Sequence, residues 1–278
     1  MRIGRIFVIG HRTDLRFTRC CIASIRRWYP HIRVTLIKDY AAGAYDTSEL
    51  ENCFAVDIFP SSGKCFGWGV ARLEPLFLPE RERCLILDSD IVFAGPMLER
   101  LEKFEEEFVV EGVDHGPEET REHYFDPDVV ARLFPDFHFP GFVFNVGQMV
   151  ATTGILTREM FEPFIQFSEP RQFLQPDTFF WEQGVLNFVL ARLAQRAHIR
   201  VRRDLFMKWA GALQPEDVLT QRLERGPAYD FLVHWAGVKR AVLSKNQLAH
   251  VLTHFELAYH KGVRDCRRSP SQQFFELG

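Results

Sequence analysis

Two aspartates one residue apart, Asp88 and Asp90, close an apolar run in the stretch RCLILDSDIVFAGP at residues 83–96. Carboxylates this close repel each other, and burial sharpens the repulsion. One resolution is a divalent cation, since Mg²⁺ and Mn²⁺ take oxygen ligands and bridge readily to substrate phosphates. The other is a turn in which one Asp caps the next element and its neighbour is solvated. Residues 84–87 read as a strand buried on both faces. Residues i and i+2 of an extended chain point to one side, which would bring both carboxylates together. In open α/β sheets, ligands gather beyond the carboxyl ends of strands, where this pair would stand.

A nitrogen ligand is available further on. His234 ends a second apolar run, YDFLVHWAG at 229–237, and Gly237 follows it closely. A neutral imidazole would complete a carboxylate site suited to Mn²⁺, although a lone strand-end histidine also serves structure. Lys239 and Arg240 come next, either as phosphate contacts or as solvated surface cations. His250 and His254 have the i, i+4 spacing of metal ligands but no acidic partner, so they read as helix-edge residues.

The elements that must carry these side chains alternate. RIFVIG (5–10) and IRVTLIKDY (32–40) read as strands, with a helix at 15–29 between them stopped by Pro30. A short strand at 53–59 and a helix at 67–78 precede the strand that ends at Asp88. Strand–helix–strand repetition predicts an α/β fold with a mostly parallel, Rossmann-like central sheet flanked by helices. A charged helix at 97–106 and a strand at 107–114 follow, then a segment at 115–140 rich in Pro, Asp and aromatics that suits a substrate loop or a surface excursion. Core-like sequence resumes at 141–156. Helices are expected at 157–168, at 178–196 with Asp177 as N-cap, and at 246–260.

Composition narrows the function class. The chain has 278 residues, 46% hydrophobic and 26% charged, and carries a net charge of −3. That balance gives no pull toward nucleic acid. No segment reaches the ~18 apolar residues of a membrane span, and the N-terminus lacks a signal-peptide pattern. The six cysteines lack C-x-x-C spacing and are expected to be reduced core residues of a cytoplasmic protein. One catalytic domain over 1–262 with a weakly structured tail at 263–278 is the expected organisation.

Three further segments bear on the aspartate pair. FNVG (144–147), WEQGVLN (181–187) and HWAGVKR (234–240) follow it in order, and ARLEPLFLPERERCLILDSD (71–90) leads into it. Together they resemble the F-N-[ST]-G, D-Q-D-x-L-N, H-F-x-G-x-x-K-P-W and A-R-L…L-Y-L-D-x-D motifs of glycosyltransferase family 8, from the first strand to about residue 240. The resemblance implies a GT-A fold and a retaining transfer of a hexose from a UDP-sugar to a hydroxyl acceptor, with Mn²⁺ or Mg²⁺ as cofactor. It makes Asp88, Asp90 and His234 the metal ligands. It makes Arg72, Asn145, Gly147, Ser89, Gly237, Lys239 and Arg240 contacts of the donor, with Ile9, Gly10, His11 and Asp39 walling the base. Capping is the alternative for Asp39. Glu182 and Gln183 would stand beside the anomeric carbon, the acid holding sugar hydroxyls and the amide oxygen facing developing positive charge.

The pattern departs from the family in two places. The third acid of D-Q-D is Gly184, and Ala241 and Val242 replace the Pro-Trp after the lysine slot, which Arg240 occupies. A non-catalytic nucleotide-sugar binder is therefore one alternative. A haloacid-dehalogenase-like phosphohydrolase is another, because DSDIV fits D-x-D-x-[TV], but that family carries its motif on the first strand and needs a later acidic pair that is missing here. Weak peripheral membrane contact through the last helix is a lesser expectation than internal packing.

Overall fold

The computed structural model describes residues 2–60, 63–67, 69–168, 171–226 and 229–268. In chain order it begins with β1 (Arg5–His11), α1 (Leu15–Trp28), β2 (Arg33–Asp39), α2 (Ser48–Phe54) and β3 (Val56–Ile58). A 3₁₀ helix, Val70–Phe77, leads to β4 (Arg83–Asp88), β5 (Ile91–Phe93), α3 (Leu98–Leu101) and β6 (Phe108–Glu111). Then come α4 (Pro117–His123), α5 (Pro127–Leu133), β7 (Gln148–Thr152), β8 (Ile165–Gln166), β9 (Gln172–Phe173) and α6 (Trp181–Gln195). The chain closes with β10 (Val201–Asp204), β11 (Met207–Trp209), α7 (Thr220–Arg225), β12 (Leu232–His234) and α8 (Ala249–Arg268).

The central sheet has seven strands in the order β10-β6-β7-β4-β1-β2-β3. Its pairs are parallel except where β7 runs antiparallel between β4 and β6. Strand alternation divides the apolar residues between two cores. Ile6, Val8, Leu85 and Leu87 face α1 and α8, while Phe7, Ile9, Cys84 and Ile86 face the 3₁₀ helix and α6. Asp88 continues the Cys84, Ile86 face of β4, so it emerges on the side of the 3₁₀ helix and α6. A second sheet, β11-β12-β5, continues from the end of β4.

Several expectations change. Cys53 and Phe54 belong to α2, so the third strand is only Val56–Ile58. The segment at 157–168 holds a short 3₁₀ turn and β8 instead of a helix, and 115–140 contains α4 and α5. Asp177 does not cap α6, because Thr178 and Phe179 donate to the Gln175 carbonyl and the chain turns again before Phe180, the N-cap. The last helix extends past 262, so residues 263–268 are helical, and 269–278 lie outside the described residues. The cysteines are not all reduced: Cys53 on α2 and Cys266 on α8 form a disulfide, with Cα atoms 5.5 Å apart. Their 213-residue separation hid the pair from a reading of local spacing. Among the described residues no helix is long and apolar enough to cross a membrane.

Candidate metal and donor site

Strand pairing assembles the acidic centre. β4 ends at Asp88, the chain turns through Ser89 and Asp90, and β5 leaves antiparallel to β12 with Ile91 opposite His234. Asp90 therefore lies in a turn, not on an extended strand as the i, i+2 argument assumed, yet the same carboxylates converge. Their ligand atoms and one nitrogen of His234 all lie within 4.8 Å of one another. His234 Nε2 is 3.3 Å from Asp90 Oδ1 and 4.0 Å from Asp88 Oδ2. The ring is 1% exposed, and among the described residues neither nitrogen has a well-aligned hydrogen-bond partner, the Asp90 oxygen at 3.3 Å included. Orphaned buried polar atoms are costly, and a metal ligated by imidazole and two carboxylates would satisfy the ring. Trp209 on β11 stacks on it at 5.1 Å between centroids and fixes its plane.

Gly147 lets two of the candidate ligands pack directly against the backbone. A Cβ there would lie 2.5 Å from His234 Cε1 and 2.8 Å from Asp88 Oδ2. The residue is placed by topology: β7 starts beside the end of β4, and Asp88 N donates to the Gly147 carbonyl at 2.7 Å. The donor set of two carboxylates and an imidazole, held this close, fits Mn²⁺ or Mg²⁺.

Cations flank the centre. Arg72, 9% exposed on the 3₁₀ helix, places Nη2 at 2.8 and 3.0 Å from the two Asp88 oxygens and Nη1 at 3.2 Å from Glu182 Oε1. Lys239 lies 3.2 Å from Asp90 Oδ2. Arg240 is exposed and tied by its backbone to Asn246, so it is Lys239, one position earlier than the family slot, that the fold delivers. Burial pushes Asp88 up, with Arg72 opposing and Asp90 adding to the rise. Burial would raise Asp90 too, but His234 and Lys239 outweigh it and hold that carboxyl well below the usual range. Glu182, fully buried, is pushed up to about 7 by desolvation, against the pull of Arg72.

The α6 start is locked to the segment entering β7. Asn187 pairs its amide with both backbone groups of Phe144 at 2.9 Å. Gln183 Oε1 accepts from Asn145 Nδ2 at 3.2 Å, and its Nε2 donates to the His123 carbonyl at 3.1 Å. Gly184 is dictated by packing: a Cβ would sit 2.2 Å from the Tyr124 carbonyl oxygen. Restoring an acid there by Gly184→Asp is expected to cost about 3 kcal/mol or more through overpacking against backbone. Thermal unfolding of the variant checks this; an unchanged midpoint would refute it.

At the opposite wall, Ile9, Gly10 and His11 end β1 beside Asp39 at the end of β2. Ser89 N donates to the Ile9 carbonyl, and Tyr45 Oη donates to that of Gly10. Asp39 accepts from the backbone N–H of Ala41, Phe66 and Gly67 at 2.9–3.1 Å. Its carboxylate thus organises the loop before the 3₁₀ helix, in line with the capping alternative. Gly237 follows β12 with φ +71.

Reasoning from sequence passed over Trp209, Asp14 and a Glu111–His115 pair with buried side chains that the exposed Glu119 joins from outside. Glu111 Oε1 accepts from Asn145 N at 2.7 Å and meets His115 Nε2 at 2.6 Å, while His115 Nδ1 meets Glu119 at 2.7 Å. The histidine's i, i+4 spacing to Glu111 and Glu119 was the available signal. Burial would lower the His115 pKa, but hydrogen bonds to both carboxylates raise it above 6.5. Its stabilisation is therefore complete below that unfolded value and is lost as pH rises through the higher folded one. Urea unfolding midpoints are expected to fall as pH rises above about 6.5, and His115→Ala to flatten that slope. An equal slope in both proteins would refute the assignment.

No protein-family model matches the chain, and no curated protein matches it in sequence. Solved structures do. Glycosyltransferase GlyE of Streptococcus pneumoniae TIGR4 superposes with a TM-score of 0.53 at 14% identity, over 97% of this chain and 64% of that one. The WbbM bifunctional glycosyltransferase gives 0.56 at 11%, over 94% and 52%. The galactosyltransferase LgtC, solved with donor and acceptor sugar analogues, gives 0.51 at 12%, over 92% and 95%. The chain thus spans less than two thirds of GlyE and WbbM but nearly all of LgtC. These likenesses establish the predicted fold, a GT-A-like α/β architecture.

Proposed function

We propose that the chain is a metal-dependent glycosyltransferase that moves a hexose from a UDP-sugar to a hydroxyl acceptor with retention of configuration. The observation that carries this reading is the convergence of Asp88, Asp90 and His234 against the backbone of Gly147, with Arg72 and Lys239 beside it. Asp88, Asp90 and His234 would hold Mn²⁺ or Mg²⁺, which when bound supplies Lewis-acid stabilisation to the diphosphate leaving group. Arg72 and Lys239 add fixed positive charge where negative charge develops. Asn145 and Gly147 floor the sugar. Glu182, with its pKa near neutrality, donates or accepts a hydrogen bond to a sugar hydroxyl. Gln183 is held with its amide oxygen accepting from Asn145 Nδ2 and Val146 N, and the partial negative charge of that fixed oxygen would face positive charge building at the anomeric carbon. The departing phosphate takes the acceptor proton.

The phosphohydrolase reading gains no support from the fold: Asp88 ends the fourth strand of the chain, not the first. Calorimetry of UDP binding with and without Mn²⁺, followed by a screen for hydrolysis of UDP-glucose and UDP-galactose, tests the proposal. Mn²⁺-dependent UDP binding with UDP release from one donor is expected. UDP binding indifferent to metal, or phosphatase activity without any sugar nucleotide, would overturn it. Tight metal-dependent binding without turnover would reduce the chain to a nucleotide-sugar binder.

A further inference from the structure

We infer that Asp14 is a positioning residue that, through Lys239, sets how much of the Asp90 charge is left for a metal. The inference rests on the functional reading above. Asp14 stands at the N-terminus of α1, where an aspartate ordinarily caps the helix, but its side chain makes no capping hydrogen bond. It is instead 6% exposed, and Oδ2 meets both His11 Nε2, at 2.9 Å, and Lys239 Nζ. His11 is held from its other side by Thr13 Oγ1 at 2.8 Å, so the turn after β1 presents Asp14 in one fixed place.

The oxygens of Asp90 are divided. Oδ1 faces His234 at 3.3 Å, inside the metal cluster, while Oδ2 faces Lys239 at 3.2 Å. An ammonium on one oxygen withdraws charge from a cation on the other. Asp14, on the far side of that ammonium, shares its charge and so relieves Asp90. Lys239 is 35% exposed, which screens but does not abolish the effect. The two anchors also fix the ammonium at the mouth of the site, where a nucleoside diphosphate would meet it.

Removing Lys239 and removing the charge of Asp14 should therefore act in opposite directions on metal affinity. Mn²⁺ alone is titrated into the full chain and followed by calorimetry or by the paramagnetic resonance of free Mn²⁺. Lys239→Met is expected to bind Mn²⁺ roughly 5-fold tighter, and Asp14→Asn to bind it roughly 5-fold more weakly. The double variant should match Lys239→Met, because Asp14 acts only through the lysine. UDP affinity at saturating Mn²⁺ should fall in both single variants. A merely structural Asp14 would weaken Mn²⁺ binding in the double variant as well, and that result overturns the inference. So does Lys239→Met with unchanged Mn²⁺ affinity, a substitution at a partly exposed side chain that leaves the fold in place. Wild-type protein binding neither Mn²⁺ nor UDP would sink the functional reading and this inference together. Binding of both, with the variants moving in the same direction, would sink the inference alone.

Discussion

Asp90→Asn is expected to abolish metal-dependent UDP binding and to lower donor turnover on the order of 10³-fold, which is roughly 4 kcal/mol of lost leaving-group stabilisation. The substitution keeps the shape of the side chain and removes one charge of a three-residue ligand set. The charge is what the surroundings have selected. Burial opposes ionisation of Asp90, yet His234 and Lys239 hold it as the anion well below the usual carboxylate range. Its backbone carbonyl, which accepts from Trp235 N at 3.1 Å and joins the β4–β5 turn to β12, is untouched. The variant should therefore fold. A group whose folded pKa is depressed contributes stability above its unfolded value of about 3.8 and loses it as pH falls through the lower one, so the variant should melt slightly earlier near neutrality and lose that acid-limb dependence. Calorimetry with UDP and Mn²⁺, paired with donor hydrolysis, separates the effects. If Asp90→Asn retained Mn²⁺-dependent UDP affinity within about 10-fold, the metal assignment would be wrong.

How far this site could be read in advance depended on the range of the interactions that build it. The β4 run and its two aspartates were legible because a doubly buried strand writes itself as contiguous apolar residues and charge marks its end. The alternation of strands and helices gave the fold class by the same local logic. What stayed hidden was pairing. Nothing around Gln148–Thr152 announces that β7 runs antiparallel between two strands of a parallel sheet, yet that direction is what brings Gly147 under Asp88. The register of β12 against β5, which carries His234 to the turn holding Asp90, is equally non-local. Lys239 and Arg240 could not be ranked from spacing, because the loop after Gly237 decides which one faces inward. Gly184 looked like a lost acid. It is instead the residue required where the Tyr124 carbonyl crosses the start of α6, a contact 60 residues away in the chain. Asp14 was invisible for a different reason: an aspartate before a helix already has an ordinary explanation, and only the side-chain geometry sets that explanation aside.

Gly147→Ala should test the close approach around the metal centre without changing the identity of any ligand, because it adds one methyl group against His234 and Asp88. That methyl would stand 2.5 Å from His234 Cε1, 2.8 Å from Asp88 Oδ2 and 2.8 Å from Asn145 Oδ1. None of these neighbours can easily retreat. The His234 ring is 1% exposed and stacked on Trp209, and Asp88 is gripped by Arg72. Asn145 is held through its side chain by Gly147 N at 2.9 Å and through its backbone by Glu111. The backbone cannot slide either, since the Gly147 carbonyl accepts from Asp88 N. Overpacking of this kind costs about 1–3 kcal/mol, and the displaced ligands should weaken Mn²⁺ binding by about 100-fold. Thermal unfolding and Mn²⁺ titration of the variant read the two effects separately. Adding His234→Ala to Gly147→Ala removes the atom closest to the new methyl, so it should recover part of the stability while leaving Mn²⁺ affinity lost. If Gly147→Ala bound Mn²⁺ and melted as the wild type does, the metal would not sit between these three ligands. The three ligands would then have to be reread as a structural cluster in which His234 only packs against the two aspartates.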